Sequence, residues 1–254
     1  SIIKRFYSIL VSTTGFIIIL ILWTVMARGY NPLILPSPRE TFLSLIKLYN
    51  SGELFKNIMI TVKRTIVGYS LAVGTGILIA LLLNKSRILK LILRPIITVI
   101  QTTPPVVWLA LAVIWFGIAD NITPIFLIFI VTFPIIFINI YEGLQNLNHK
   151  LIDMAEAYNA TKRQIYLEIY LPALIPYLVS SMSVGLAFAW KSSIFAEFIG
   201  SNSGIGFALS VANNNLNTSK LYAWALILVG LMLVVEYLIY RPLQKKITGW
   251  RQYE

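Results

Sequence analysis

The chain has 254 residues, of which 57% are hydrophobic and 12% are charged, and its formal net charge is +11. The charged fraction is about half of that in soluble domains, which excludes one large water-soluble domain. There is no cysteine and His149 is the single histidine, so the sequence predicts neither a disulfide framework nor a metal site. Lysine and arginine gather at the ends of apolar runs, a pattern that indicates membrane topology rather than nucleic-acid binding.

Six apolar runs follow one another along the chain. The first, residues 6–27, has a basic start but is longer than the apolar core of a signal peptide, and we predict a retained span. Each run has the ~20 residues that a bilayer core requires, and none alternates as a barrel strand would. The sequence predicts a single all-α integral membrane domain, residues 1–254, whose six transmembrane helices cover residues 6–27, 65–84, 95–119, 121–141, 169–190 and 221–240.

The orientation follows from the distribution of cationic residues. With a cytoplasmic N-terminus, thirteen of the 21 lysines and arginines fall in inside segments and seven in outside segments, with Lys191 at a helix end. We therefore predict a multi-pass protein of the bacterial plasma (inner) membrane with both termini in the cytoplasm.

The two predicted outer loops contain sequence signals for local structure. In the first, Ser37, Pro38 and Glu40 form the sequence of a capping box, which predicts an amphipathic helix over residues 38–50 on the outer rim. The second, "EFIGSNSGIGFALSVANNNLNTSK", has glycines but lacks the lysine and the strand-to-helix context of a phosphate-binding loop. A turn between short helices is the better interpretation.

Small residues recur every four positions along the second predicted span. Such a stripe permits close helix approach in lipid, which predicts tight packing, and a sliding surface is compatible with it. The members of the stripe are Gly68, Ala72, Gly76 and Ala80.

The third predicted span contains the segment "QTTPPVVW", in which two prolines remove backbone donors at membrane depth. The segment is either a bendable pathway lining or an ordinary proline kink whose polar side chains bond a neighbouring helix. The predicted pathway residues here are Gln101, Thr102, Thr103 and Pro104.

Ionisable residues near the ends of spans are the remaining candidates for function. Lys191, after Trp190, could attract an anionic substrate in a pathway, or it could extend its amine to the interface. Glu197 is either a partner of Lys191 or an independent polar contact, and we expect Glu236 to pair with a cytoplasmic-side cation. The sequence predicts no catalytic residue, because it offers no paired carboxylates, nucleophile–base set or metal ligands.

A polar segment, residues 149–171, interrupts the chain between the fourth and fifth spans. Asn148 can cap a first helix, and Asn159 stands where a left-handed residue would close it. Thr161 and Gln164 form a second capping box, and Pro172 is predicted to open the fifth span. Two capped helices on the cytoplasmic side indicate a docking element rather than a solvated connector.

The stretch "DMAEAYNATKRQIYLEIYLP" resembles the EAA motif of ABC importer permeases, roughly E-A-A-x3-G-x9-I-x-L-P. Asp153 stands for the glutamate, Met154 for the first alanine and Asn159 for the glycine. Other segments occur in the order found in permeases of the nitrate/sulfonate/taurine type, over roughly residues 33–250. They are "LPSPRE", "ITVKRTIVGYSLAVGTGI", "QTTPPVVWLALAVIWFGI", "FAWKSSIFAEFIG" and "GIGFAL".

This resemblance implies a type I ABC importer (MetI-like) permease fold and a set of partners. These are an ATP-binding-cassette ATPase dimer, a second permease copy, an extracytoplasmic solute-binding protein and membrane lipid. The sequence has no GxxxxGK[ST] motif, so ATP and Mg²⁺ are expected on the partner and no cofactor on this chain. The residues predicted to couple to the ATPase are Asp153, Ala155, Glu156, Asn159, Ala160, Ile165, Leu171 and Pro172.

The sequence leaves open which substrate is transported and keeps three alternative functions. A small anion or organic solute such as nitrate, a sulfonate, taurine or bicarbonate is expected, and a vitamin precursor such as riboflavin or a thiamine pyrimidine is the alternative. A stand-alone secondary transporter would need a carboxylate near the midplane of the membrane. A membrane enzyme would need clustered histidine, aspartate or cysteine, and a scaffold would not need the proline-broken span.

Overall fold

The protein is described by a computed structural model that covers residues 2–118, 121–240 and 242. The end of the third predicted span at residue 119 lies outside the described residues. The same holds for four of the cations counted in the orientation prediction, namely Arg241, Lys245, Lys246 and Arg251.

The described part of the chain is helical. The helices are α1 (Ile2–Gly29), α2 (Pro38–Asn50), α3 (Glu53–Lys85), α4 (Arg87–Thr102), α5 (Pro105–Phe116), α6 (Ile122–Gln145), α7 (His149–Ala157), α8 (Lys162–Gln164), α9 (Leu171–Gly200), α10 (Ile205–Asn214) and α11 (Thr218–Val234). Two π-helical turns, Ile165–Tyr170 and Val235–Tyr240, precede α9 and follow α11.

Four continuous helices among the described residues are long and apolar enough to cross a membrane: Glu53–Lys85, Ile122–Gln145, Lys162–Gly200 and Thr218–Tyr237. The pair α4 and α5 passes the same test together, with a bend of 98° between its members. Within α1 the shorter segment Ile17–Gly29 is apolar, and the first predicted span, residues 6–27, stays a prediction. The fold is therefore that of an all-α, multi-pass membrane protein.

The centre of the bundle is the contact between α3, α6 and α9. All four small residues of the stripe on α3 are buried. A side chain on Gly68 would meet Ile128 of α6 at 2.8 Å, and one on Gly76 would meet Ile136 at 2.8 Å. The offset between each glycine and its partner is the same, so α3 and α6 run parallel with their backbones in close approach.

Gly68→Ala is expected to destabilise the bundle by about 1–3 kcal/mol, because the added methyl overpacks a tight contact. Gly74 lies on the same helix, and a Cβ added there would meet no neighbouring atom within 4 Å, so Gly74→Ala is the matched control. It gains the same helix propensity without a clash and should be neutral or better. Denaturation of both variants in mixed micelles measures the difference, and equal stabilities would contradict the close approach.

Three predicted boundaries differ in the structure. The sequence predicts the second span over residues 65–84, yet α3 begins at Glu53 and carries Arg64 inside the bundle. It predicts the end of the fifth span at residue 190, yet α9 continues to Gly200. The break expected at Pro172 is absent, because the helix that starts at Lys162 runs without interruption into α9.

Candidate functional site

Helix α7 closes at a left-handed residue, at the position where the sequence predicts one. Asn159 has a φ of 56°, and its N–H donates to the Glu156 carbonyl at 2.9 Å. The Ala160 N–H donates to the Ala155 carbonyl, also at 2.9 Å. This pair of bonds is the Schellman arrangement, and asparagine adopts the left-handed conformation more readily than most residues with a side chain.

Capping residues fix both helices of this segment. The Asn148 side chain accepts from the Lys150 N–H at 3.1 Å at the start of α7. At the start of α8 the Gln164 N–H donates to Thr161 Oγ1 at 3.3 Å, and the Thr161 N–H donates to Gln164 Oε1 at 2.8 Å. Local hydrogen bonds therefore define the helix–turn–helix geometry without help from the bundle.

The surface of this segment is apolar where solvent would be expected to favour polar residues. Tyr158 is 82% exposed, and Met154, Tyr166 and Leu167 are about half exposed. Asp153 and Glu156 are exposed beside them, whereas Ile165 is buried. An apolar patch with a charged rim is typical of a protein–protein interface.

The π-helical turn Ile165–Tyr170 accommodates Pro172 within a continuous helix. The Leu171 N–H donates to the Tyr166 carbonyl, five residues back. Proline lacks a backbone donor, and widening the preceding turn removes the clash that would otherwise break the helix. The helix that begins at Lys162 is thus continuous with the membrane helix α9.

The bend between α4 and α5 lies at Thr103 and Pro104. Pro104 cannot bond the carbonyl of Ile100, and the Trp108 indole N–H donates to that oxygen instead, at 3.2 Å. The Thr103 hydroxyl donates to the Val99 carbonyl at 2.7 Å. The carbonyl freed by Pro104 is therefore satisfied by a side chain, a role of Trp108 that the sequence did not reveal.

The structure places the predicted pathway residues in two regions. Gln101 lines a cavity of about 470 Å³ between α4 and α6, and Thr102 and Pro104 are exposed beside it along the chain. Trp190 and Lys191 line a cavity of about 240 Å³ between α9 and α11, which Glu236 also lines. The Lys191 ammonium is exposed and lies 5.6 Å from the Phe188 ring centroid.

Lys191 does not mark the end of its helix. Nine residues of α9 follow it, about 13 Å of helix, so the predicted helix end at Lys191 is wrong, whereas extension of its amine to the membrane interface stays a prediction. The Trp190 indole nitrogen is buried without a hydrogen-bond partner among the described residues. A cation and an unpaired donor therefore face the α9–α11 cavity region, a combination that suits an anionic or carbonyl-bearing molecule.

A buried ion pair joins α3 to α9. Arg64 Nη1 lies 3.0 Å from Glu197 Oε1, and the two side chains are 4% and 0% exposed. Arg64 also donates to Asn121 Oδ1 at 2.8 Å and to the Ser203 carbonyl at 2.8 Å. Of the two alternatives for Glu197, pairing with Lys191 is therefore wrong and an independent polar contact is confirmed: its partner is Arg64, 133 residues away in sequence.

The same ion pair holds the second outer loop. The Thr61 hydroxyl donates to Glu197 Oε2 at 2.7 Å, and the Gly206 N–H donates to the same oxygen at 3.1 Å. Gly204 has a φ of 100° and packs directly on the Glu197 carboxylate, so a side chain there would displace it. The loop is a turn, as expected, but only the helix that follows it, α10, is short, and its anchor is a carboxylate.

Three kinds of comparison place this architecture among known proteins. A chain of the MetNI methionine ABC transporter in an inward-facing conformation superposes with a TM-score of 0.60 at 19% identity. The superposition covers 71% of this chain and 90% of that chain. The fold is therefore the MetI-like fold of type I ABC importer permeases.

Sequence relatives extend over nearly the whole chain. SsuC of Bacillus subtilis (strain 168), named for aliphatic sulfonate transport, is 28% identical, covering 92% of this chain and 85% of the relative. The taurine transport system permease TauC of Escherichia coli (strain K12) is 26% identical, and the match covers 92% of this chain and 86% of TauC. The formylaminopyrimidine transport permease ThiX of Halalkalibacterium halodurans is 24% identical, and the match covers 98% of this chain and 99% of ThiX.

The model of one protein family matches residues 72–248, more than half of the chain. The match takes in the helix–turn–helix segment, the bend between α4 and α5, and the helices that enclose both cavities. The chain belongs to the family of binding-protein-dependent transport system inner membrane components, and its role is that of an ABC importer permease.

Proposed function

We propose that two copies of this permease form a pathway for a small anion, and that the α7–α8 segment docks on an ATP-hydrolysing subunit. The exposed apolar patch around Tyr158 carries the proposal, because an apolar surface at the end of a membrane bundle needs a protein partner. ATP and Mg²⁺ bind the ATPase dimer, and this chain contributes no cofactor site. The residues that couple the permease to the ATPase in this proposal are Asp153, Ala155, Glu156, Asn159, Ala160, Ile165, Leu171 and Pro172.

The end of the bundle that carries α7 and α8 faces the cytoplasm in this proposal, as do both termini. Gln145 Nε2 donates to Asn84 Oδ1 at 3.1 Å, which joins the ends of α3 and α6 beside α7. Lys85, Arg87 and Lys90 are at this same end, as cytoplasmic cations would be. Because the chain has no cysteine, Ser86→Cys and Ser219→Cys permit labelling from each side, and only the first should react from the cytoplasm.

The substrate class follows from Lys191 and the relatives. The Lys191 ammonium, in a cavity that Glu236 also lines, favours an anion such as a sulfonate, taurine, nitrate or bicarbonate. SsuC and TauC are named for sulfonate and taurine transport, whereas ThiX, named for formylaminopyrimidine transport, supports the alternative cargo. A solute-binding protein delivers the substrate to the outer face, and Gln101, Thr102, Thr103, Pro104, Trp190 and Lys191 line the way through.

The test is reconstitution of the permease with its ATPase and binding protein in proteoliposomes. We expect uptake of taurine or an alkanesulfonate that requires ATP, and a stoichiometric ATPase in the purified complex. Lys191→Gln should reduce uptake of the anion more than uptake of a neutral pyrimidine. Uptake without any ATPase would favour a secondary transporter and refute the proposal, and uptake of formylaminopyrimidine alone would replace the anion by the alternative cargo.

A further inference from the structure

A group of cations lies at the end of the bundle that holds α7, beside the cavity that Gln101 lines and apart from the cavity of Trp190 and Lys191. Lys85, Arg87, Lys90 and Arg94 fall within ten residues where α3 ends and α4 begins. Arg64 pairs with Glu197 and Lys220 pairs with Glu53, whereas none of these four cations has an ion-pair partner among the described residues.

The cations surround two adjoining cavities. The cavity of about 470 Å³ between α4 and α6 is lined by Lys90, Arg94 and Glu142. A neighbouring cavity of about 490 Å³ is lined by Lys85, Arg87 and again Lys90. Tyr141 and Gln145 also line both, so the two cavities form one basic groove, which we define by the residues named here.

The groove contains a buried polar atom without a partner. Tyr141 is 8% exposed, and its hydroxyl makes no hydrogen bond to a described residue. The Lys90 ammonium lies 5.4 Å from the centroid of the same ring, which brings a cation next to the hydroxyl-bearing side chain. A buried hydroxyl without a hydrogen bond is costly, and a ligand that supplies an acceptor would remove that cost.

Helix α4 presents opposite chemistry on its two faces. Lys90, Arg94, Thr98 and Gln101 follow at intervals of three or four residues and line the cavity, so they share one face. Ile88 and Leu91 are each 70% exposed, and Val99 is 62% exposed. An apolar surface that could take acyl chains is therefore next to a cationic groove that could take a headgroup.

We propose that this groove binds the headgroup of an anionic glycerophospholipid of the phosphatidylglycerol class. The phosphodiester accepts from Lys90, Arg94 and the Tyr141 hydroxyl, and the glycerol hydroxyls donate to Glu142 and Gln145. Basic pockets between membrane helices on the cytoplasmic side bind such headgroups. The inference rests on the orientation proposed above, and it assigns the groove to a lipid rather than to the transported anion.

The experiment measures the lipid retained by the full chain. Purified permease is exchanged into micelles that contain phosphatidylglycerol or phosphatidylcholine, and bound lipid is counted by native mass spectrometry. We expect phosphatidylglycerol to be retained preferentially and Lys90→Gln with Arg94→Gln to lower that retention at least tenfold, since each cation contributes about fivefold. Lys56→Gln with Lys63→Gln removes two cations of α3 toward its other end, and retention should not change.

Two further measurements test the role of the Tyr141 hydroxyl and whether the bound anion is a lipid headgroup or a free anion. Tyr141→Phe should lower lipid retention while leaving stability in lipid-free micelles unchanged or raised, because the hydroxyl bonds no described residue. Inorganic phosphate and taurine should neither displace the lipid nor stabilise the lipid-free chain. Equal retention of the two lipids, no effect of the double variant, or displacement by a free anion would overturn the proposal. None of these readouts needs transport, so a failure here is distinct from a failure of the proposed function.

Discussion

Replacing Arg64 by methionine is expected to destabilise the folded permease by about 3–5 kcal/mol. The substitution leaves the Glu197 carboxylate buried, 0% exposed, with the opposite charge removed. It also removes the donors to Asn121 and Ser203, so the loop between α9 and α10 loses an anchor. Equilibrium unfolding of the purified chain in mixed micelles measures the change.

Two control variants make this prediction specific to the buried pair. Lys220 pairs with Glu53 at 2.9 Å, but the two side chains are 30% and 36% exposed, so Lys220→Met should cost less than about 1 kcal/mol. Adding Glu197→Gln to Arg64→Met removes the uncompensated charge and should restore part of the lost stability. Equal effects of Arg64→Met and Lys220→Met, or no recovery in the double variant, would contradict the structural role of the pair.

The same ion pair explains why the sequence misplaces two helix boundaries. Arg64 and Lys191 stand at the edges of apolar runs, and charged residues at such positions ordinarily indicate the membrane surface. The partner of Arg64 is 133 residues away, and no local pattern indicates that pairing. Once Arg64 and Glu197 neutralise each other inside the bundle, α3 and α9 can both extend several turns beyond the predicted spans.

The small-residue stripe and the proline-broken span show what periodicity can predict. The four-residue spacing from Gly68 indicates a close contact, and α6 supplies it, although the spacing does not indicate which helix will. Pro104 and Pro105 indicate a break, but the bend of 98° and the bond from Trp108 depend on tertiary packing. The sequence therefore predicts where a close helix contact or a helix break lies, whereas the residues that contact it are determined by the packing of the bundle.

The α7–α8 segment is the part of the candidate site that the sequence predicts most closely. Its caps and its turn depend on bonds between residues no more than five apart, such as Ala160 N–H to the Ala155 carbonyl. The exception is the continuous helix through Pro172. Its π-helical turn has no sequence signature, and the predicted break at Pro172 follows from the proline alone.

Asn159→Pro is expected to abolish ATP-driven uptake and substrate-stimulated ATP hydrolysis while membrane insertion stays intact. Proline fixes φ near −65°, whereas Asn159 has a φ of 56° and donates its N–H to the Glu156 carbonyl. The substitution therefore removes the left-handed turn that sets the angle between α7 and α8, at a cost of about 3 kcal/mol or more. Uptake and ATPase activity of the reconstituted complex measure the effect.

Asn159→Gly is the matched variant, because glycine adopts a φ of 56° without steric cost and keeps the backbone donor. We expect it to transport at a rate close to that of the unchanged chain, since the turn rather than the asparagine side chain holds the docking surface. A side chain that contacts the ATPase directly would make Asn159→Gly defective as well. Normal coupling in Asn159→Pro would mean that α7 is not the element that receives the force, and that the rigid helix from Lys162 into α9 acts without it.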